Sequence, residues 1–194
     1  MKTICRLLTG FLPAILLAGC GANMEVIKSK SQSQASYVFQ EVQDRSKPPA
    51  GFADLALKVS LKTHLQGYYL LEHKSSPHGQ PTYTFVVNID GQARTYEVQG
   101  RQEEGPAVDD QGRTSSEKGV GMKYVLERDF RLKAGHHQIF LGIPGDQYVK
   151  EIDVTLEEGV SHILEFQPHY RRYKWGREAF ENGLYNYTAY LHKN

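Results

Sequence analysis

Eight histidines, several acid pairs and one basic–aromatic run are the parts of this 194-residue sequence that could do chemistry. His136 and His137 are adjacent, so on a strand their side chains point to opposite faces and do not readily share one ion. No two histidines stand at i, i+2 on an expected strand or at i, i+4 on the expected tail helix. The two cysteines, Cys5 and Cys20, both lie near the N-terminus and give the folded body no thiolate ligand. These residues predict no metal site and no cofactor, and His136 is read as supporting its own turn. The run Val108-Asp109-Asp110-Gln111-Gly112 has the acids of a calcium loop, but Glu117 falls out of the register an EF-hand requires. Gly119-Val120-Gly121 lacks the third glycine and the following helix of a dinucleotide fingerprint. No serine sits in a nucleophile elbow. The carboxylate pairs Glu103-Glu104, Asp109-Asp110 and Glu157-Glu158 all fall in expected turns. Hydration there leaves them without the burial that tunes a catalytic acid or base. The chain is expected not to be an enzyme.

The run His169-Tyr170-Arg171-Arg172-Tyr173-Lys174-Trp175 is the densest unusual cluster. Tyr170, Arg171, Arg172, Tyr173 and Trp175 are candidate ligand-binding residues, because aromatics beside arginines stack on sugars or hold an acidic partner. The competing and preferred reading makes them the rim of the core, with arginine stems covering apolar surface.

The elements that would position these residues are strands. Tyrosine is abundant, with 12 against 8 Phe, and hydrophobic residues make up 40% of the chain. Tyr-rich and Gly-rich sequence with short apolar runs reads as β protein. Leu55, Leu57, Val59 and Leu61 share one parity, as do Tyr83, Phe85, Val87 and Ile89, which is the period of half-buried strands. Gly67 to Glu72 is a further short run. Asp90-Gly91 signals a hairpin returning through Ala93 to Val98. Gly100 to Gly119 is polar and is expected to be a long surface loop. Strands are then expected over Met122 to Leu132, His137 to Ile143, Val149 to Leu156 and His162 to Phe166. In the tail, Phe180, Leu184, Tyr187 and Leu191 follow helical spacing, with a hairpin at Asn182-Gly183 as the alternative.

The first 19 residues carry Lys2 and Arg6 and no acid, ahead of an apolar stretch from Leu7 to Ala18. That stretch is too short for a membrane span and fits the core of a signal peptide. It ends Leu17-Ala18-Gly19-Cys20, which resembles the lipobox of bacterial lipoproteins. The resemblance implies cleavage before Cys20 and diacylglycerol on its thiol, with palmitate-like chains each contributing about 0.8 kcal/mol per buried CH₂. Gly21 rather than Asp follows the cysteine. By the sorting rule of enteric lipoproteins this implies the periplasmic face of the outer membrane. Removing two of the 23 basic residues leaves 21 against 22 acids, a net charge of −1. A nearly neutral body gives no electrostatic argument for nucleic acid.

A second resemblance is to PEGA-type modules, small β-sandwiches of exported bacterial proteins. It rests on Phe85-Val86-Val87-Asn88-Ile89-Asp90-Gly91, on Leu132-Lys133-Ala134-Gly135-His136-His137, and on Gly142-Ile143-Pro144-Gly145 with the strand after it. The family carries no catalytic residues. The sequence therefore predicts a signal peptide (1–19), a lipidated Cys20 with a flexible tether (20–50), and an antiparallel β-sandwich with a short C-terminal helix (51–194). The expected function is a lipid-anchored, non-enzymatic interaction or structural protein of the cell envelope, with a protein partner there. A glycan- or small-ligand-binding lipoprotein is the alternative, and a hydrolase of envelope polymers the third.

Overall fold

The computed structural model describes residues 21–43, 46–171 and 176–194. These form a helix α1 (Gly21–Lys30) and the strands β1 (Phe39–Glu41), β2 (Phe52–Thr63), β3 (Thr82–Ile89), β4 (Gln92–Gly105), β5 (Gly119–Lys133), β6 (Gly135–Ile143), β7 (Tyr148–Leu156), β8 (Ser161–Tyr170) and β9 (Leu184–Lys193). The fold is mainly β, as expected. Its strands follow one path, β7-β6-β3-β4-β5-β2-β8-β9, with β1 also pairing β5. The sheet is nearly closed into a barrel-like shape. The pairings are antiparallel except for β2 with β8, which run parallel.

Alternation builds the core. On β2, Leu55, Leu57, Val59 and Leu61 are buried, and on β3 so are Tyr83, Phe85, Val87 and Ile89. β4 changes partner midway: Gln92 to Gln99 pair with β3, and Gly100 to Gly105 pair with β5. Gly100 stands at the changeover, where a Cβ would meet the Tyr124 ring at 2.6 Å. The two outer strands meet through side chains, the Tyr148 hydroxyl donating to Asn186 at 2.8 Å and accepting from the Tyr187 amide at 3.0 Å.

Four sequence expectations differ from what is found. The tail is a strand, β9, preceded by a 3-10 turn at Phe180–Asn182, and no C-terminal helix forms among the described residues. Leu184 and Tyr187 are both buried although three apart, because the β8–β9 register shifts at His169/Tyr170 and leaves Tyr185 exposed. That irregularity imitates helical spacing. The polar stretch from Gly100 is strand up to Gly105, since its backbone pairs with β5 whatever its side chains. Gly67 to Glu72 forms turns, not a strand.

Residues 21–43, expected as tether, lie against the sheet. Ile27 is buried with Val86 and Phe140 on its outer face. Asn88 donates to the Lys30 carbonyl at 2.8 Å, and Lys30 pairs with Glu151 at 2.7 Å. One buried isoleucine contributes about 1.5–3 kcal/mol, a contribution that the surrounding Ser, Gln and Lys conceal in the sequence.

Candidate functional site

The β2–β3 connection carries the least satisfied buried polar groups that face one another. His64 follows directly on β2 and is 3% exposed. The chain then loops out through Tyr68, Tyr69, Leu70 and Leu71 and returns through His78. Gly79 makes the return possible: its φ is +71°, and a Cβ there would meet the Gln66 amide at 2.1 Å. Its own amide donates to the Thr63 hydroxyl at 3.0 Å, which fixes His78 beside the end of β2. Asp146 comes from the 3-10 turn Pro144–Asp146 after β6.

The His64 and His78 rings meet edge-on, with His64 Nε2 3.1 Å from His78 Nδ1. Each ring's other nitrogen already has an acceptor. His64 Nδ1 faces the Leu65 carbonyl at 3.0 Å, and His78 Nε2 faces Asp146 Oδ1 at 3.3 Å. A carbonyl or a carboxylate can only accept, so both outer nitrogens donate. In neutral rings the two inner nitrogens then present lone pairs to each other. Glu72 adds a carboxylate with Oε1 3.5 Å from His64 Nε2, while its Oε2 is buried without a hydrogen-bond partner. Burial alone would lower the His78 pKa, but the hydrogen-bonded Asp146 carboxylate and the charge of Glu72 outweigh it and hold the group above the ordinary imidazole value. Asp146 also accepts from the Tyr83 hydroxyl at 2.6 Å. Burial and that carboxylate push the Tyr83 pKa up. His64 and His78 line a cleft of about 290 Å³ together with Tyr69, Arg171, Arg177 and Glu181.

The sequence does not single out this group, because His64, Glu72 and His78 share no short strand or helix spacing and the connection that carries them has no period. His136, expected to support its turn, is largely exposed and reaches Asp153 at 3.6 Å. His137 does that work instead: Nδ1 meets Asp90 Oδ2 at 2.6 Å and Nε2 meets the Lys133 carbonyl at 2.7 Å. Two of the motifs behind the PEGA resemblance thus touch in space.

A second buried cluster starts two residues before His64. Lys62 is 1% exposed, and its ammonium donates to the carbonyls of Glu117 at 2.8 Å and Gly119 at 2.7 Å. It also lies 4.8 Å from the centre of the Phe180 ring. Burial lowers its pKa. Tyr170, one of the candidate ligand residues, belongs here. It is buried, donates to Glu117 Oε1 at 2.6 Å and accepts from the Lys62 amide at 2.9 Å. Glu117 Oε2 pairs with Lys123. Arg171 is exposed on the histidine cleft. Arg172, Tyr173 and Trp175, like Cys20, lie outside the described residues.

No protein-family model matches the chain, and no curated protein matches it at a significant level.

Proposed function

We propose that the chain is a lipid-anchored, non-enzymatic interaction or structural protein of a bacterial envelope, held at the periplasmic face of the outer membrane through Cys20. In this reading it is an accessory subunit of an envelope assembly. The observation that carries the interaction role is the β2–β3 loop, where Leu70 is 99% exposed and Leu71 is 95% exposed beside the half-exposed Tyr68. Adjacent, fully hydrated leucines beside an exposed tyrosine mark a contact surface more than isolated apolar residues do. The lipobox-like Leu17-Ala18-Gly19-Cys20 supports the anchor, and the contact between Asp90 and His137 is consistent with a PEGA-like module. A photo-crosslinking residue at position 70, in the native envelope, should give a protein adduct that Leu71→Asp removes without changing the melting temperature. Adducts to lipid alone would contradict a protein partner. Fatty-acid labelling that survives Cys20→Ser would contradict the anchor.

One observation favours the alternative of a glycan- or small-ligand-binding lipoprotein, though not at the residues first expected. The loop after β4 leaves a polar cleft of about 710 Å³ against β8 and β9, lined by Asp109, Arg113, Glu165, His169 and Tyr190. Several polar groups with one aromatic face suit a sugar.

A further inference from the structure

We propose that His64, Glu72 and His78 form a binding site for one divalent first-row metal ion, zinc by the chemistry of the ligands, with a coordination position left open to the adjoining cleft. This site depends neither on the lipid anchor nor on the protein partner. Two imidazole nitrogens and a carboxylate oxygen are ordinary zinc donors. In a tetrahedral site with ligand bonds near 2.05 Å, neighbouring donor atoms stand roughly 3.3 Å apart. The His64 Nε2 to His78 Nδ1 separation is 3.1 Å, His64 Nε2 to Glu72 Oε1 is 3.5 Å, and all three donor atoms lie within 4.8 Å of one another, so a small inward movement of the Glu72 side chain closes the triangle. Among the described residues this is the group of three such side chains close enough to hold an ion.

The outer contacts are those a metal site requires. A ligating histidine donates its second ring nitrogen to a carboxylate or a backbone carbonyl, which fixes its tautomer and aims its lone pair. Asp146 does this for His78, and the Leu65 carbonyl does it for His64. In the neutral rings those two contacts leave the inner nitrogens as lone pairs that can bind a cation.

A shared proton is the competing explanation. It would join the two nitrogens but make no use of Glu72 Oε1, 3.5 Å from His64 Nε2. A metal ion draws on all three groups at once and offsets part of the cost of holding the largely buried Glu72 carboxylate there. The cleft lined by His64, His78, Arg171 and Arg177 gives the ion a path in and leaves room for water or an anionic ligand in the fourth position. Because Glu72 directly follows Leu70-Leu71, the ion would also clamp the apolar loop to the end of β2.

The test uses the full chain in detergent, made without a polyhistidine tag and stripped with a chelator. Zinc is titrated in competition with a chromogenic chelator, and cobalt(II) is titrated as a spectroscopic probe. One zinc per chain is expected, with a cobalt d–d spectrum of low coordination number and nitrogen–oxygen donors. Glu72→Gln and His78→Ala should each weaken zinc binding more than about 100-fold, beyond the 10–100-fold typical of losing an outer contact. His136→Ala, at the exposed histidine, should leave binding unchanged. If His78→Ala does not fold, Glu72→Gln and the cobalt spectrum still decide. Folded wild-type protein that takes up no stoichiometric zinc, or binding that persists in Glu72→Gln, would overturn the proposal.

Discussion

Two buried polar clusters begin two residues apart at the end of β2, and they are completed to different degrees. Around Lys62 each strong polar group has a partner: two carbonyls and a ring face for the ammonium, Tyr170 and Lys123 for the two oxygens of Glu117. Around His64 the inner nitrogens face each other and Glu72 Oε2 faces nothing. Buried polar groups in folded chains are almost always paired, so an unpaired one asks for an explanation. The first cluster explains itself as structure. In the second, a cation would give the two inner nitrogens and Glu72 Oε1 a common partner. Burial, charge and neighbouring tyrosines are common to both, so it is satisfaction of hydrogen bonds that separates a support from a site.

The contrast breaks most visibly at Lys62. Lys62→Ala removes the donor to two part-buried carbonyls and empties the space under Phe180, and should cost about 2–5 kcal/mol in urea denaturation. A loss under 1 kcal/mol would mean that the Lys62 cluster is not the support described here.

An intermediate effect is expected in alkali, where both clusters depend on buried tyrosines. Tyr124 donates to the Gln80 carbonyl at 2.6 Å, and burial pushes its pKa up to about 12 from an ordinary 10.0. Tyr170 and Tyr83 are raised as well, chiefly by burial. Because the folded value is the higher one, the protonated phenol stabilises the fold fully below about pH 10. That contribution falls away as pH rises through 12. Ionisation of these buried tyrosines and loss of structure should therefore appear together above pH 10. Ionisation of all twelve tyrosines near pH 10 with the fold intact would contradict the burial on which both clusters rest.

The smallest effect is the sharpest. In chelator, Glu72→Gln removes a buried charge with no partner for one of its oxygens. Its melting stability should stay within about 1 kcal/mol of wild type, or exceed it. A large loss would show that Glu72 is already satisfied without an ion.

Most of the strands were legible in the sequence, but their joining into one nearly closed sheet, where a sandwich was expected, was not, and neither was the site. Thr82 to Ile89 reads as a strand and is β3 to the residue, because its inward positions are large and its end is an Asp-Gly turn. The mid-length of β2 and β5 through β8 follows from the same alternation. β4 past Gly100 was hidden, since Arg101, Gln102, Glu103 and Glu104 contribute backbone pairing but almost no apolar signal. β9 was misread because a register shift buries Leu184 and Tyr187 three residues apart. α1 buries Ile27 while the apolar Met24 and Val26 beside it stay exposed, so no apolar period marks the helix. His64, Glu72 and His78 share no period, and only the loop's closure at Gly79 brings them together. The available signals were a histidine ending a core strand and another preceding a loop glycine, each too common alone to single out a site.

The difference between the clusters is tested most directly by nitrogen NMR of the histidine rings, before and after one equivalent of zinc. The account predicts that His64 Nε2 and His78 Nδ1 move to metal-bound positions. His64 Nδ1 and His78 Nε2 should stay protonated toward Leu65 and Asp146, and the Lys62 ammonium should be unchanged. Ring spectra of His64 and His78 that do not respond while the protein remains folded would contradict it.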